Sequence, residues 1–246
     1  MLSRFLRSLL GPRREERPPG AALSVGMAAH GNAEVTRQAL EARRLHPNTR
    51  VFSFTRNLEY CESVNAFLSH ARGEQMLFLS NDIFASPAYL GRILATASAN
   101  PDCGIIRGCS NFVDNNSTEH NLPISDCATR EVYFAFAEEV ADNNRDSHLL
   151  DERFLVGDAF LATRRLIERI GTFDTRFRGY YGDSDFGLRA QIAGLRVVLE
   201  CGAFKYGIAP GRASVHGLPW EDLARRKFDP ALHYVAPKDY SEHLLR

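Results

Sequence analysis

Residues 154–198 read FLVGDAFLATRRLIERIGTFDTRFRGYYGDSDFGLRAQIAGLRVV and are the most informative part of the chain. An apolar run ends at Gly157, and an arginine-rich amphipathic segment follows it. Asp183 and Asp185 then stand just before a helical pattern that closes at Gly194. Free backbone N–H groups and the helix dipole stabilise negative charge at a helix N-terminus, so we expect ionised carboxylates here. An ionised carboxylate at the edge of a cleft can accept a proton from an alcohol.

Before this segment, strand and helix patterns alternate along the chain. Strand patterns occupy 21–27, 51–55, 75–79 and 104–107, and helical patterns occupy 33–44, 62–72 and 87–99. This order implies parallel pairing with right-handed crossovers. We therefore predict an α/β fold, a single Rossmann-like domain with a mostly parallel central sheet flanked by helices. In residues 109–150, which are rich in Asn, Asp and Ser, we expect loops and an isolated strand or helix near 132–137.

Polar side chains stand at the carboxyl ends of three predicted strands, where ligands bind in sheets of this kind. They are His30, the pair Arg56-Asn57 and the pair Asn81-Asp82. An Asp at the end of a buried strand can present its carboxylate to Mg²⁺ or Mn²⁺, which take phosphate oxygens of a substrate as further ligands. Asp82 also fits an Asx-turn or a helix N-cap, so both interpretations stay open at this point.

Composition and charge exclude several classes of function. The 246 residues suffice for one large α/β domain, and 44% hydrophobic with 24% charged residues is ordinary for a globular protein. A formal net charge of +0 leaves no bulk field to hold nucleic acid, so we expect no nucleic-acid partner. None of the five cysteines forms a CxxC pair, which argues against a zinc cluster and favours free thiols in a reducing cytosol. We therefore expect a cytoplasmic protein.

Residues 1–20 differ in character from the rest of the chain. Apolar side chains share one helical face, with arginines beside them: Leu2, Phe5, Leu6, Leu9 and Leu10. The pattern fits a short amphipathic helix in peripheral contact with the inner face of a membrane, and fits equally a helix that packs on itself. A polar, proline-rich linker follows at 13–20.

The clusters together resemble the family-2 glycosyltransferases of the GT-A fold. In the first half the matching features are asparagines, a small-residue turn and an apolar strand ending in an acidic turn: Asn57, Asn65, 71–74, 76–82 and Ser86-Pro87. In the second half they are an apolar run after glycine, an arginine pair, two turns, the acidic helix start and a His-Gly pair: 157–161, Arg164-Arg165, 170–174, 182–189, Gly194 and His216-Gly217. The resemblance covers residues 21–217, which we expect to form the domain. A tail at 218–246 is expected to pack on it or extend from it.

The resemblance implies transfer of a sugar, with inversion, from a nucleotide-sugar donor to the hydroxyl of a glycan or lipid-linked acceptor in bacterial surface polysaccharide assembly. It implies that Asp183 is the general base. It implies that Asp82, with His216 as a further ligand, holds a divalent cation, Mn²⁺ or Mg²⁺, at the donor diphosphate. Asp185 is expected to orient the site. Four other residues are expected near the nucleotide: His30, Arg56, Asn57 and Asn81.

The chain departs from the family pattern in three places. Ser80 stands where the first Asp of the metal turn is expected, and Gly182 replaces a Glu often found before the base. The span from Leu40 to Asn57 has room for one strand where the family has two, so base recognition differs or donor binding is weakened. The alternative interpretation is therefore a non-catalytic GT-A-like module that binds a glycan or a partner. A nucleotidyltransferase is less well supported, because the Gly-rich phosphate loop that many of them use is absent.

Overall fold

The computed structural model describes residues 23–29, 49–53, 58–80, 83–110, 130–146, 149–152, 154–178 and 181–207. These residues form the strands β1 (Leu23–Ala29), β2 (Thr49–Ser53), β3 (Gln75–Ser80), β4 (Ile83–Ala85), β5 (Cys103–Ser110), β6 (Leu150–Asp151), β7 (Ala159–Thr163) and β8 (Arg196–Gly207). The helices of the same residues are α1 (Tyr60–His70), α2 (Pro87–Ala99), α3 (Arg130–Asn143), α4 (Arg164–Ile170) and α5 (Gly182–Ile192).

The described strands form one sheet in the order β2-β1-β3-β7-β5-β8-β4, with β6 also pairing with β8. Strand β1 is parallel to β2 and β3, and β5 is parallel to β8. Strand β7 is antiparallel to both β3 and β5, and β4 and β6 are antiparallel to β8. The predicted α/β fold is confirmed, but the sheet is mixed rather than mostly parallel. The reason is that β7 enters from the second half of the chain and separates β3 from β5.

Strand β2 pairs directly with β1, with Val25 opposite Thr49 and Ala29 opposite Ser53. No other strand can therefore lie between these two. The prediction that one nucleotide-binding strand is missing rests on residues 40–57, of which the structure describes 49–53, so it stays a prediction. The strand begins two residues before the predicted range 51–55.

Local sequence signals set the ends of the helices in the way that capping chemistry predicts. The Ser86 side chain accepts a hydrogen bond from Tyr89 N at 3.0 Å, and Pro87 occupies the first position of α2. The Thr163 side chain caps α4 in the same way. Gly171 ends α4 with φ 75°, in the left-handed region where glycine has no Cβ to clash.

An apolar core rich in phenylalanine joins α1, α4 and α5 to one face of the sheet, and Leu166 is the buried contribution of α4. Phe173, in the turn after α4, stacks on Phe186 of α5 with ring centroids 4.2 Å apart, and Phe160 of β7 lies beneath both of them. Each fully buried phenylalanine contributes on the order of 1.5–3 kcal/mol. The Asn65 side chain on α1 donates to Phe173 O at 2.8 Å and accepts from Phe173 N at 2.9 Å. The turn before α5 is thus fixed to both α1 and the sheet.

Other predictions fall on different parts of the chain. The run near 132–137 belongs to helix α3, whose Tyr133 and Ala137 are buried against Leu199 and Phe204 of β8. The predicted helix at 33–44, the N-terminal segment 1–20 and the tail 218–246 lie outside the described residues. None of the helices described above is both long enough and apolar enough to cross a membrane.

Candidate active site

Helix α5 begins from an uncommon backbone conformation. Tyr181, the residue before the helix, has φ 64°, in the left-handed region that bulky residues rarely adopt. Its carbonyl accepts a hydrogen bond from Asp185 N at 2.8 Å. A Cβ at Gly182 would overlap the Cys61 sulfur on α1, so glycine lets the helix start close against α1. Strained backbone of this kind is frequent where a side chain must be held in one direction, and the next side chain is Asp183.

Asp183 is half-buried, and backbone N–H groups hold both of its carboxylate oxygens. Gly157 N donates to Asp183 Oδ2 at 2.9 Å, and Ser184 N donates to Asp183 Oδ1 at 2.8 Å. Such bonds favour the ionised carboxylate. The Tyr60 hydroxyl donates to Gly157 O at 2.6 Å. A Cβ at position 157 would overlap that hydroxyl and come within 2.8 Å of the Asp183 Cβ, so this close approach requires glycine.

The residue after Gly157 connects Asp183 to the end of strand β3. The carbonyl oxygen of Asp158 accepts a hydrogen bond from Ser80 N at 2.8 Å, and its carboxylate accepts one from Ala159 N at 2.8 Å. The other carboxylate oxygen forms an ion pair with Lys205 of β8. We call residues 157–158 the bridging turn. Through the bridging turn, the end of β3 and the start of α5 meet at one end of the sheet, although all three segments are far apart in sequence. The predicted metal turn at 81–82 directly follows β3 in the sequence.

Asp185, two residues after Asp183, has a different environment. It is 3% exposed and pairs with Arg189 one helical turn later, at 2.8 Å. Burial raises the pKa of the Asp185 carboxyl, and the Arg189 guanidinium opposes that rise. Arg189 also donates to the carbonyls of Ile170 and Thr172, at 2.8 and 2.9 Å. Asp185 thus holds Arg189 where it ties α5 to the turn after α4, and its orienting role in the site stays a prediction.

Two other ionisable groups next to Asp183 are poor candidates for a base. Burial, followed by the charge of Asp183, raises the pKa of the Cys61 thiol to about 12. The same two causes raise the pKa of the Tyr60 hydroxyl well above its usual range. Both groups are therefore protonated near neutral pH. Among Tyr60, Cys61 and Asp183, the carboxylate of Asp183 is the group that can accept a proton.

A separate cleft of about 420 Å³ lies between α5 and the turn after α4. Its lining includes Thr172 and two ion pairs, Arg176 with Asp174 at 2.5 Å and Arg189 with Asp185 at 2.8 Å. Because each of these charges is already matched by its neighbour, the cleft has little excess charge for an ionic ligand. Asp183 does not line it.

The remaining predicted site residues lie outside the described part of the chain: His30, Arg56, Asn57, Asn81, Asp82 and His216. Within the described ranges, no group of three or more His, Cys, Asp or Glu side chains could hold a metal ion. The carboxylates of Asp158 and Asp183 are occupied by Lys205 and by backbone N–H groups. The described residues therefore do not make up the expected metal site by themselves.

The structure adds two residues that the sequence analysis did not select as site residues. Tyr60 supports the bridging turn through its hydroxyl, and Lys205 does so through its ammonium group. The run AFKY at 203–206 contained a usable signal. A lysine inside an otherwise apolar strand is almost never buried without a partner, so it predicts an acidic group nearby.

Comparison with known proteins identifies the family. The chain belongs to glycosyl transferase family 2, because the sequence model of that family matches residues 31–181. A comparison with curated proteins gave no match. Among solved structures, the chain is similar to the mannosyltransferase PcManGT from Pyrobaculum calidifontis in complex with GDP-Man and Mn²⁺, with 16% identity, a TM-score of 0.54, and coverage of 86% of this chain and 64% of that one. It is also similar to GalNAc-T7 with UDP, GalNAc and Mn²⁺, with 11% identity, a TM-score of 0.51, and coverage of 83% and 48%. The chain thus spans less than two thirds of the length of either protein, and these likenesses show the GT-A fold.

Proposed function

We propose that this protein transfers a sugar from a nucleotide-sugar donor to an acceptor hydroxyl, with inversion at the anomeric carbon. The observation that carries the proposal is the placement of Asp183. It lies in the first turn of α5, the Gly157 N–H holds it, and the bridging turn connects it to the end of β3. Membership of glycosyl transferase family 2 supports the reaction class.

Asp183 acts as the general base in this proposal. Its carboxylate takes the proton of the acceptor hydroxyl while that oxygen bonds to the anomeric carbon. The bond from this carbon to the diphosphate oxygen breaks, and the electron pair leaves with the nucleoside diphosphate. A single displacement of this kind inverts the anomeric configuration. The N–H groups of Gly157 and Ser184 hold the carboxylate in one orientation before the proton arrives.

We propose Asp82 and His216 as ligands of a divalent cation, Mn²⁺ or Mg²⁺. Both residues lie outside the described part of the chain, and none of the steps above passes through the metal. When bound, such an ion offsets negative charge on the departing diphosphate. The presence of Mn²⁺ with GDP-Man in the similar mannosyltransferase structure supports a divalent cation in this proposal.

The metal assignment makes a thermal prediction. Mn²⁺ should raise the melting temperature only when a nucleoside diphosphate is present, because the diphosphate completes the coordination of the ion. Asp82→Ala should remove this shift. An unchanged shift in Asp82→Ala would exclude the proposed ligand.

The remaining assignments are proposals of the same kind. Four residues contact the nucleotide: His30, Arg56, Asn57 and Asn81. Asp185 orients α5 at the donor site. The acceptor is a glycan or a lipid-linked acceptor of bacterial surface polysaccharide assembly, and the catalytic domain spans 21–217. The protein is cytoplasmic, with residues 1–20 in peripheral contact with the inner face of the membrane.

Asp183→Asn tests the catalytic role. The substitution keeps the size of the side chain and removes its basicity, so kcat for transfer should fall by about 10²–10⁴-fold, the range for loss of a general base. The matched control is Ser184→Ala in the same helical turn, which keeps the backbone N–H and should leave kcat nearly unchanged. Transfer is measured as release of nucleoside diphosphate from a panel of nucleotide-sugars, and donor binding is measured by calorimetry.

The pattern of binding and turnover separates the alternatives. Retained donor binding with lost transfer in Asp183→Asn supports the base. Lost binding with residual turnover would contradict that role. Wild-type protein that binds nucleotide-sugars or glycans but transfers nothing would instead support the non-catalytic module. The anomeric proton coupling of the product, measured by NMR, tests inversion directly.

A further inference from the structure

Lys205 is a buried cation next to the candidate active site. Its side chain on β8 is fully buried and forms an ion pair with Asp158, whose side chain is 26% exposed. In the sheet, Lys205 stands opposite Ala85 of β4 and Ser110 of β5. Strand β4 begins at 83, directly after the predicted metal turn.

A buried ammonium loses its hydration, and well-packed apolar groups often replace a buried ion pair without loss of stability. Stability alone therefore gives little reason for a lysine at this position.

The ion pair acts on a backbone segment that reaches Asp183. Lys205 and Ala159 N fix the two carboxylate oxygens of Asp158. The Asp158 carbonyl is bonded to Ser80 N, so the residue is held on its backbone side as well. The preceding residue, Gly157, donates its N–H to Asp183 Oδ2 at 2.9 Å, and its carbonyl accepts from the Tyr60 hydroxyl at 2.6 Å.

We propose that Lys205 is a positioning residue for Asp183, and that it acts through Asp158 and Gly157. The inference rests on the proposed function, because it assigns Lys205 to the same reaction. Without the Lys205 ammonium, one of the two side-chain oxygens of residue 158 loses the contact that fixes it. The bridging turn then shifts and takes the Gly157 N–H away from Asp183.

The first test does not depend on activity. The chemical shift of the Gly157 amide proton reports its hydrogen bond to a charged acceptor, and Asp183→Asn supplies the reference shift for loss of that charge. In Lys205→Met the amide resonance should move from the wild-type position toward the Asp183→Asn position. A Gly157 resonance that stays at the wild-type position in a folded Lys205→Met variant would overturn the proposal.

The double variant Asp158→Asn/Lys205→Met separates positioning from stability. Asp158→Asn removes the carboxylate that faces the buried Lys205 ammonium, and Lys205→Met removes the ammonium that faces the partly exposed Asp158 carboxylate, so both single variants should melt at lower temperature. The double variant removes both charges and should regain most of the melting temperature. If Lys205 positions Asp183, the double variant still has a displaced Gly157 resonance, and its kcat is lower than that of the wild type by on the order of 10–10²-fold, the cost of a small misplacement of a catalytic group. Its donor KM should change much less than its kcat.

The outcomes distinguish this inference from the proposed function. A double variant that regains melting temperature, Gly157 resonance and kcat together would show a purely structural pair and overturn the inference, while leaving the proposed function intact. A wild type without any transfer activity would end the proposed function, and with it the catalytic part of the inference. The Gly157 resonance of Lys205→Met would still decide whether Lys205 controls the contact between Gly157 and Asp183.

Discussion

Gly157→Ala tests the close approach between the bridging turn and Asp183. The new Cβ would overlap the Tyr60 hydroxyl and lie 2.8 Å from the Asp183 Cβ. Tyr60 has little room to withdraw, because its ring packs edge-on against Phe78 at 6.1 Å and Phe173 at 5.7 Å. Overpacking at a tight site costs about 1–3 kcal/mol, and loss of the Tyr60–Gly157 hydrogen bond costs about 1 kcal/mol more. We therefore expect Gly157→Ala to lower the free energy of unfolding by about 2–4 kcal/mol.

The assay is urea denaturation followed by circular dichroism, with kcat measured on the same samples. Gly91→Ala is the matched control: no atom lies within 4 Å of the added Cβ, so the better helix propensity of alanine should stabilise α2 by up to about 1 kcal/mol. Tyr60→Phe removes the hydroxyl that the alanine would meet. If the clash is with that hydroxyl, the double variant Tyr60→Phe/Gly157→Ala should be more stable than the sum of the single effects predicts. Additive single effects, or a Gly157→Ala variant as stable as Gly91→Ala, would show that the added Cβ does not clash with the Tyr60 hydroxyl.

Two further predictions concern buried groups. Arg107→Met removes the buried guanidinium that pairs with the buried Glu152 carboxylate, so the free energy of unfolding, measured in urea, should fall by about 3–5 kcal/mol. Much of that loss should return in Arg107→Met/Glu152→Leu, and a double variant as unstable as the single one would be the contrary result. Burial raises the pKa of Cys61 to about 12, so the thiolate population is small at pH 8 and rises with pH. Iodoacetamide should therefore leave Cys61 unmodified in the native protein and modify it in urea, as peptide mass spectra would show. Rapid labelling of Cys61 in the native protein would count against a buried thiol.

Much of the fold could be predicted because its signals are local. Apolar runs bounded by polar turns locate β1, β3 and β5, and Ser86-Pro87 marks the start of α2 where the structure has it. The direction of β7 could not be predicted in this way. Its sequence AFLAT is a continuous apolar run, and such a run suits a buried strand of either direction. Only its pairing with both β3 and β5 shows that it divides the parallel part of the sheet.

The candidate site was predictable in its residue types and not in its contacts. Two carboxylates before a helical pattern indicated a helix N-terminus, and Asp183 and Asp185 do lie in the first turn of α5. Their different roles could not be read from spacing, because Asp185 is buried with Arg189 while Asp183 is bonded to a residue 26 positions earlier. The pairing of Lys205 with Asp158 spans 47 positions, so the apolar run around Lys205 predicts an acidic partner but not which residue supplies it.

We propose that the end of β3, the bridging turn and Asp183 bound one site for a nucleotide-sugar. A crystal structure of the protein with a bound nucleoside diphosphate would show this site. We predict density for the terminal phosphate in the space between these three segments, with the Asp183 carboxylate facing it across the position of the sugar. A nucleotide bound instead in the cleft between α5 and the turn after α4, beside Thr172 and Arg176, would show that Asp183 does not belong to the donor site.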